Sequence, residues 1–225
     1  MNTRDTVLGA VRAALGGQTV DPVKARAEAE ALLADLDAIR PELMAANPVE
    51  AFVARATSPK LIGTSVERIA QANAFPEAVG RYLTAQNLPR SVALQPSPDL
   101  AALDWSGFQL RHEMAPDEPV GVGLARWGIA ETGSLVFHSG GDTPILFNFL
   151  PLHHVVAVRA STILRHLEDY AAAAEGEARP RNVNIVTGAS GTTDIEGVLV
   201  RGAHGPRSLH IVILSGAGEY SSKER

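Results

Sequence analysis

Apolar residues in the first sixty positions recur at helical spacing. Val7, Leu8, Val11 and Leu15 fall on one face, and Leu32, Leu33, Leu36 and Ile39 form a second stripe. "DPV" at Asp21 sets a capping side chain before a proline in the first turn. "NPVE" at Asn47 repeats the device, with Glu50 spaced to reach back to the cap. The pattern predicts an alanine-rich N-terminal helical arm over residues 1–58, packed against the body.

The texture changes near Lys60, where short apolar runs begin to alternate with helical ones. "KLIGTS" predicts a strand followed by a helix capped near Ser65, and a helix is predicted from Phe75 to Asn87. "SVALQ", "FQLRHE", "GSLVFHS", "TPILFNFLP" and "HHVVAV" read as strands. A helix from Thr162 to Glu175 separates them from two more, "NVNIVTG" and "SLHIVIL". Strands interleaved with helices predict one α/β domain over residues 59–225 with a parallel or mixed sheet. Consecutive strands between Phe108 and Val158 predict an antiparallel insertion in it.

Composition narrows the chemistry. The net charge of −5 leaves no basic footprint for nucleic acid. No run of about 18 apolar residues is present to span a bilayer, and the polar start does not read as a signal peptide, so a cytoplasmic address is expected. Without cysteine, the chain supplies no thiolate to a metal or an iron–sulfur cluster. The only lysines are Lys24, Lys60 and Lys223. Positive charge between them must come from arginine, which suits fixed recognition of carboxylate or phosphate.

Two stretches concentrate reactive side chains. In "GVGLARWGIAETGSLVF", Gly121 and Gly123 begin a dinucleotide fingerprint, but Arg126 occupies the third glycine position, so that reading is rejected. Glu131 then stands at the mouth of a strand between apolar neighbours, where desolvation suits a carboxylate to acid–base work. Capping of a turn is the structural alternative. Among the histidines, His153 and His154 are adjacent and must face opposite sides of a strand, which disfavours a shared metal; no metal site is expected. His138 precedes a turn, and His204 lies between glycines where its ring can reach a ligand.

The second stretch is "GASGTTDIEGVLVRGAHGP", residues 188–206. Ser190, Thr192 and Thr193 resemble an open helix start with hydroxyl donors. Asp194 and Glu196 in its first turn would repel a phosphate. A small carboxylate held with help from Arg201 or Arg207 fits better.

"GIAETGSLVF", "LPLHHVVAV", "TGASGTTDIEGVLVRGAHGP" and "LHIVIL", in that order, resemble the LUD-domain family of lactate utilization proteins, of the C type. The resemblance runs from about Gly121 to Leu214, with Ala189 standing where the family is expected to carry proline. It implies a Rossmann-like mixed α/β sheet similar to ribose-5-phosphate isomerase, glucosamine-6-phosphate deaminase and CoA transferases. It also implies a part in oxidising L-lactate to pyruvate beside iron–sulfur and oxidoreductase-like partner proteins, which would hold the clusters; no cofactor is visible in this chain. The resemblance marks Glu131 and His204 as signature positions, and their local settings make them the candidate catalytic pair. Thr132, Ser190, Thr192, Asp194, Glu196, Arg201 and Arg207 are the candidate substrate-binding set. Two other functions are open: an enzyme on sugar-phosphate or CoA-linked substrates, and a non-catalytic adaptor.

Overall fold

The structure is a computed structural model and describes residues 2–16, 21–35, 40–193 and 197–216. It divides into two compact units, Met1–Pro41 and Glu42–Arg225. The first carries helices α1 (Thr3–Ala14) and α2 (Pro22–Ala34). Each begins where the sequence places a cap: Asn2 accepts from the Arg4 amide and Asp21 from the Val23 amide. No residue of α1 is buried.

The second unit opens with helix α3 (Pro48–Ala56), capped by Asn47 through the amides of Val49 and Glu50. Glu50 does not turn back to the cap. Its carboxylate takes a 2.6 Å hydrogen bond from Arg68 instead. Phe52, Ala51 and Ala56 are fully buried, so α3 belongs to the core of this unit although its pattern resembles that of the arm.

The main sheet joins β1 (Thr64–Ile69), β2 (Ser91–Leu94), β3 (Gln109–Arg111), β4 (Val120–Leu124), β7 (His153–Arg159) and β12 (Ser208–Leu214). Strands are numbered in chain order. Their order across the sheet is β1-β12-β7-β4-β2-β3, and every neighbouring pair is parallel. Both faces are covered, which explains the unbroken apolar runs of its inner strands. Val212 and Leu214 of β12 pack on one side with helix α4 (Phe75–Ala85), while Leu209, Ile211 and Ile213 pack on the other with Phe52 and Phe137.

A second, four-stranded sheet lies on that other side. It orders β8 (Ile163–Leu164), β5 (Trp127–Ile129), β6 (Ser134–His138) and β9 (Val183–Thr187). The pairs β5–β6 and β6–β9 are antiparallel and β5–β8 is parallel. A short hairpin pairs β10 (Gly191–Thr192) with β11 (Val200–Arg201). Short helices α5 (Pro98–Ala101) and α6 (Asp169–Ala173) complete the fold. The chain is therefore a mixed α/β protein with a mostly parallel central sheet.

Three local expectations fail. The helix expected near Ser65 is strand β1, paired along its whole length from Thr64↔Leu209 to Ile69↔Leu214. "TPILFNFLP" is not a strand but a single 3-10 turn at Ile145–Asn148, flanked by Pro144 and Pro151. The helix expected over Thr162–Glu175 is interrupted by β8, because Ile163 and Leu164 find partners in β5, and only Asp169–Ala173 remains helical.

Candidate functional site

The Ala130–Gly133 turn joins β5 to β6 and carries Glu131 and Thr132. Gly133 donates to the Ile129 carbonyl and holds φ 68°. A Cβ there would stand 2.8 Å from the backbone nitrogen of Ala56, so only glycine lets this turn seat against the end of α3. The amides of Ala130 and Glu131 bond the carbonyls of Leu164 and Arg165, which fixes the turn on its other side.

A chain of hydroxyls leads out of the turn. Thr132 Oγ1 and Ser134 Oγ are 2.7 Å apart, and Ser134 Oγ and Thr187 Oγ1 are 2.6 Å apart. Thr187 ends β9 and introduces Gly188, whose positive φ sends the chain past Leu61 and Thr64 into Ser190. The Ser190 amide donates to the Pro206 carbonyl at 2.7 Å, and its own carbonyl accepts from Gly202 at 3.0 Å. Thus the two motif stretches meet at the amino ends of β1, β7 and β12.

Four polar atoms in this region are buried without a hydrogen-bond partner among the described residues: Glu131 Oε2, Arg55 Nε, Ser58 Oγ and Thr64 Oγ1. Unmet buried polar groups are uncommon and costly, which makes these four candidates for meeting a ligand. Arg201 Nη1 reaches within 3.3 Å of the Gly63 Cβ position, and Arg207 lies close enough to His153 to help lower its pKa, after burial.

The open helix start expected after Gly188 is absent. Gly191 and Thr192 pair with Arg201 and Val200, so the amides of Ser190 and Thr192 sit in hairpin and loop bonding. Asp194 and Glu196 lie outside the described residues. His204 is exposed on the turn before Pro206, whose carbonyl bonds Ser190.

The opposite end of the second sheet opens on a cavity of about 610 Å³. It sits at the carboxyl ends of β2, β4 and β7, where open parallel sheets ordinarily bind ligands. Arg126 pairs with Glu177, Arg159 with Asp99, and His138 shares a 2.7 Å hydrogen bond with the Tyr170 hydroxyl. Burial, with the Arg126 charge, lowers the His138 pKa, and Glu177 partly offsets both. Gln95 braces the floor, accepting from the Leu124 amide and donating to Thr143. A Cβ on Gly123 would come 2.9 Å from Gln95 Oε1 and 3.2 Å from His154 Nε2, so this glycine makes room for two side chains.

Residues 108–214 match the family model described as LUD domain. Over that stretch, a little under half of the chain, the sequence is similar to a LUD domain. The chain is 29% identical over 163 residues to lactate utilization protein C of Halalkalibacterium halodurans, covering 67% of this chain and 71% of that protein. Lactate utilization protein C of a Geobacillus species is 31% identical over 121 residues, half the length of that relative. Uncharacterized protein YkgG of Escherichia coli is 34% identical over 105 residues, covering 46% of that protein. Among solved structures, a DUF162 family protein from Deinococcus radiodurans superposes with a TM-score of 0.55 at 20% identity, covering 76% of this chain and 98% of that one.

Within the matched stretch, the structure brings Glu131, Thr132, Ser190, Arg201 and Arg207 to one end of the sheets and leaves His204 exposed on the turn beside them. None of these lines the cavity at the other end. Arg55, Ser58, Thr64, Ser134 and Thr187 were not singled out by sequence. Only the serine and threonine next to the motifs carried a usable signal, whereas Arg55 reads as an ordinary charged helix position.

Proposed function

We propose that this chain is a component of L-lactate utilisation, in which lactate is oxidised to pyruvate together with iron–sulfur and oxidoreductase-like partner proteins in the cytoplasm. The observation that carries the reading is the similarity to lactate utilization protein C of Halalkalibacterium halodurans over 71% of that protein. The geometry at the motif end supports it. Glu131 offers a buried, unbonded carboxylate oxygen to the lactate hydroxyl, and Arg55, Arg201 and Arg207 are cations for its carboxylate. His204, Ser190 and Thr192 border the same end, and Asp194 and Glu196 join them in sequence. The oxidation removes the hydroxyl proton, taken up by Glu131 or His204, and a hydride, which would pass to a two-electron redox cofactor that this sequence does not reveal.

Deletion of the gene is expected to abolish growth on L-lactate as sole carbon source while growth on pyruvate persists. Complementation with Glu131→Gln is expected to fail, with the variant protein present at normal level. Normal growth of the deletion strain, in a host without another lactate dehydrogenase, refutes the role. Affinity purification from lactate-grown cells checks the partners: cysteine-rich proteins are expected to co-purify.

A further inference from the structure

The cavity at the carboxyl ends of β2, β4 and β7 stands apart from the motif end and takes no part in the reading above. Its volume of about 610 Å³ lies in the range of sites that enclose cofactor-sized molecules, and is far larger than a three-carbon acid requires. Its chemistry is mixed in a specific way. Arg179 on the loop before β9 is exposed and forms no ion pair among the described residues. Arg126 spends one terminal nitrogen on Glu177 Oε1 and stacks its guanidinium 5.1 Å from the centre of the Trp127 ring. Two forks with unused donors therefore face one opening, which suits a phosphate or carboxylate.

The same wall holds the complementary feature. Glu177 Oε2 is buried and accepts no hydrogen bond among the described residues; Arg126 pairs with Oε1 instead, and His138 Nδ1 stands 3.7 Å from Oε2. With the ring of His138 favouring its neutral form, that oxygen lacks a donor, a need that a sugar hydroxyl entering beside it would meet. Leu124, only partly buried, supplies apolar wall against which a flat ring can lie.

We infer that this cavity is a nucleoside-phosphate site, with the phosphate on Arg179 and Arg126, a ribose hydroxyl on Glu177 and the base against Leu124. A bare anion satisfies only the arginines, and a sugar phosphate leaves the apolar wall uncovered.

Isothermal titration of the full chain with AMP, ADP, NADH and FMN tests this, with inorganic phosphate and ribose 5-phosphate as controls. At least one nucleotide is expected to bind, with affinity reduced about tenfold or more by Arg179→Ala. Ala178→Trp, which fills the cavity mouth from an exposed position without breaking an ion pair, is expected to abolish that binding while the melting temperature stays unchanged. The inference is overturned if no nucleotide binds, if binding survives both substitutions, or if inorganic phosphate or ribose 5-phosphate binds as tightly as the nucleotide. Because the readout is binding in vitro, it stands or falls separately from growth on lactate.

Discussion

Both ring nitrogens of His154 are buried without a hydrogen-bond partner among the described residues, and the ring stacks on Phe137. Burial pushes its pKa from an ordinary value near 6.5 to about 3. The fold thus holds the ring neutral where the unfolded chain would protonate it. Above pH 6.5 neither state is charged and the histidine costs nothing further. Below it, the unfolded state gains protons that the fold refuses, so stability falls until the pH nears 3. By pH 5 this amounts to about 2 kcal/mol. His154→Leu is expected to flatten the wild-type decline between pH 6.5 and 5 by about that amount, measured by urea unfolding across the range. A second residue-scale outcome concerns Gly133, whose positive φ and contact with Ala56 exclude a side chain. Gly133→Ala is expected to destabilise the protein by about 2 kcal/mol or more.

Elements show where sequence patterns stop being informative. The hydroxyl relay from Thr132 through Ser134 to Thr187 ties β6 to β9 at the motif end, and Ser134 is buried. Ser134→Ala leaves both flanking hydroxyls without their shared partner and is expected to cost about 1–2 kcal/mol in chemical denaturation. The motif residues were legible because glycine, hydroxyl and charged residues cluster within two short stretches, and the folded chain does join those stretches. The elements misread are those decided by distant pairing. Val66 and Ile69 are three apart and imitate a helix, but β1 is an edge strand held by β12. Ile163 and Leu164 sit in a helical pattern, yet β5 draws them into a strand. The cavity was invisible for a related reason. Gln95, Arg126, His138, Arg159 and Arg179 come from five separate segments, and no local spacing relates them.

For the whole molecule, the division after Pro41 separates a unit whose first helix buries nothing from one that contains the core clusters around Phe52, Phe75 and Phe137. A chain beginning at Glu42 is expected to unfold in a single transition, with a melting temperature within a few degrees of the full chain's by calorimetry. Starting instead at residue 59 removes α3 and its buried Phe52, and such a chain is expected to lose cooperative unfolding.

Strand β12 lies between β1 and β7, although some 140 residues of chain separate it from β1. On the ribosome, β1 therefore emerges without the strand it pairs with among the described residues and waits for Ser208–Leu214 to be made. During that interval β7 presents an open apolar edge, with Val155, Val156, Ala157 and Val158 exposed to whatever strand arrives first. Synthesis must reach Ser208–Leu214 before the sheet can close, so nascent chains of this protein are expected to engage chaperones until then, and a ribosome stalled before residue 208 holds an aggregation-prone intermediate.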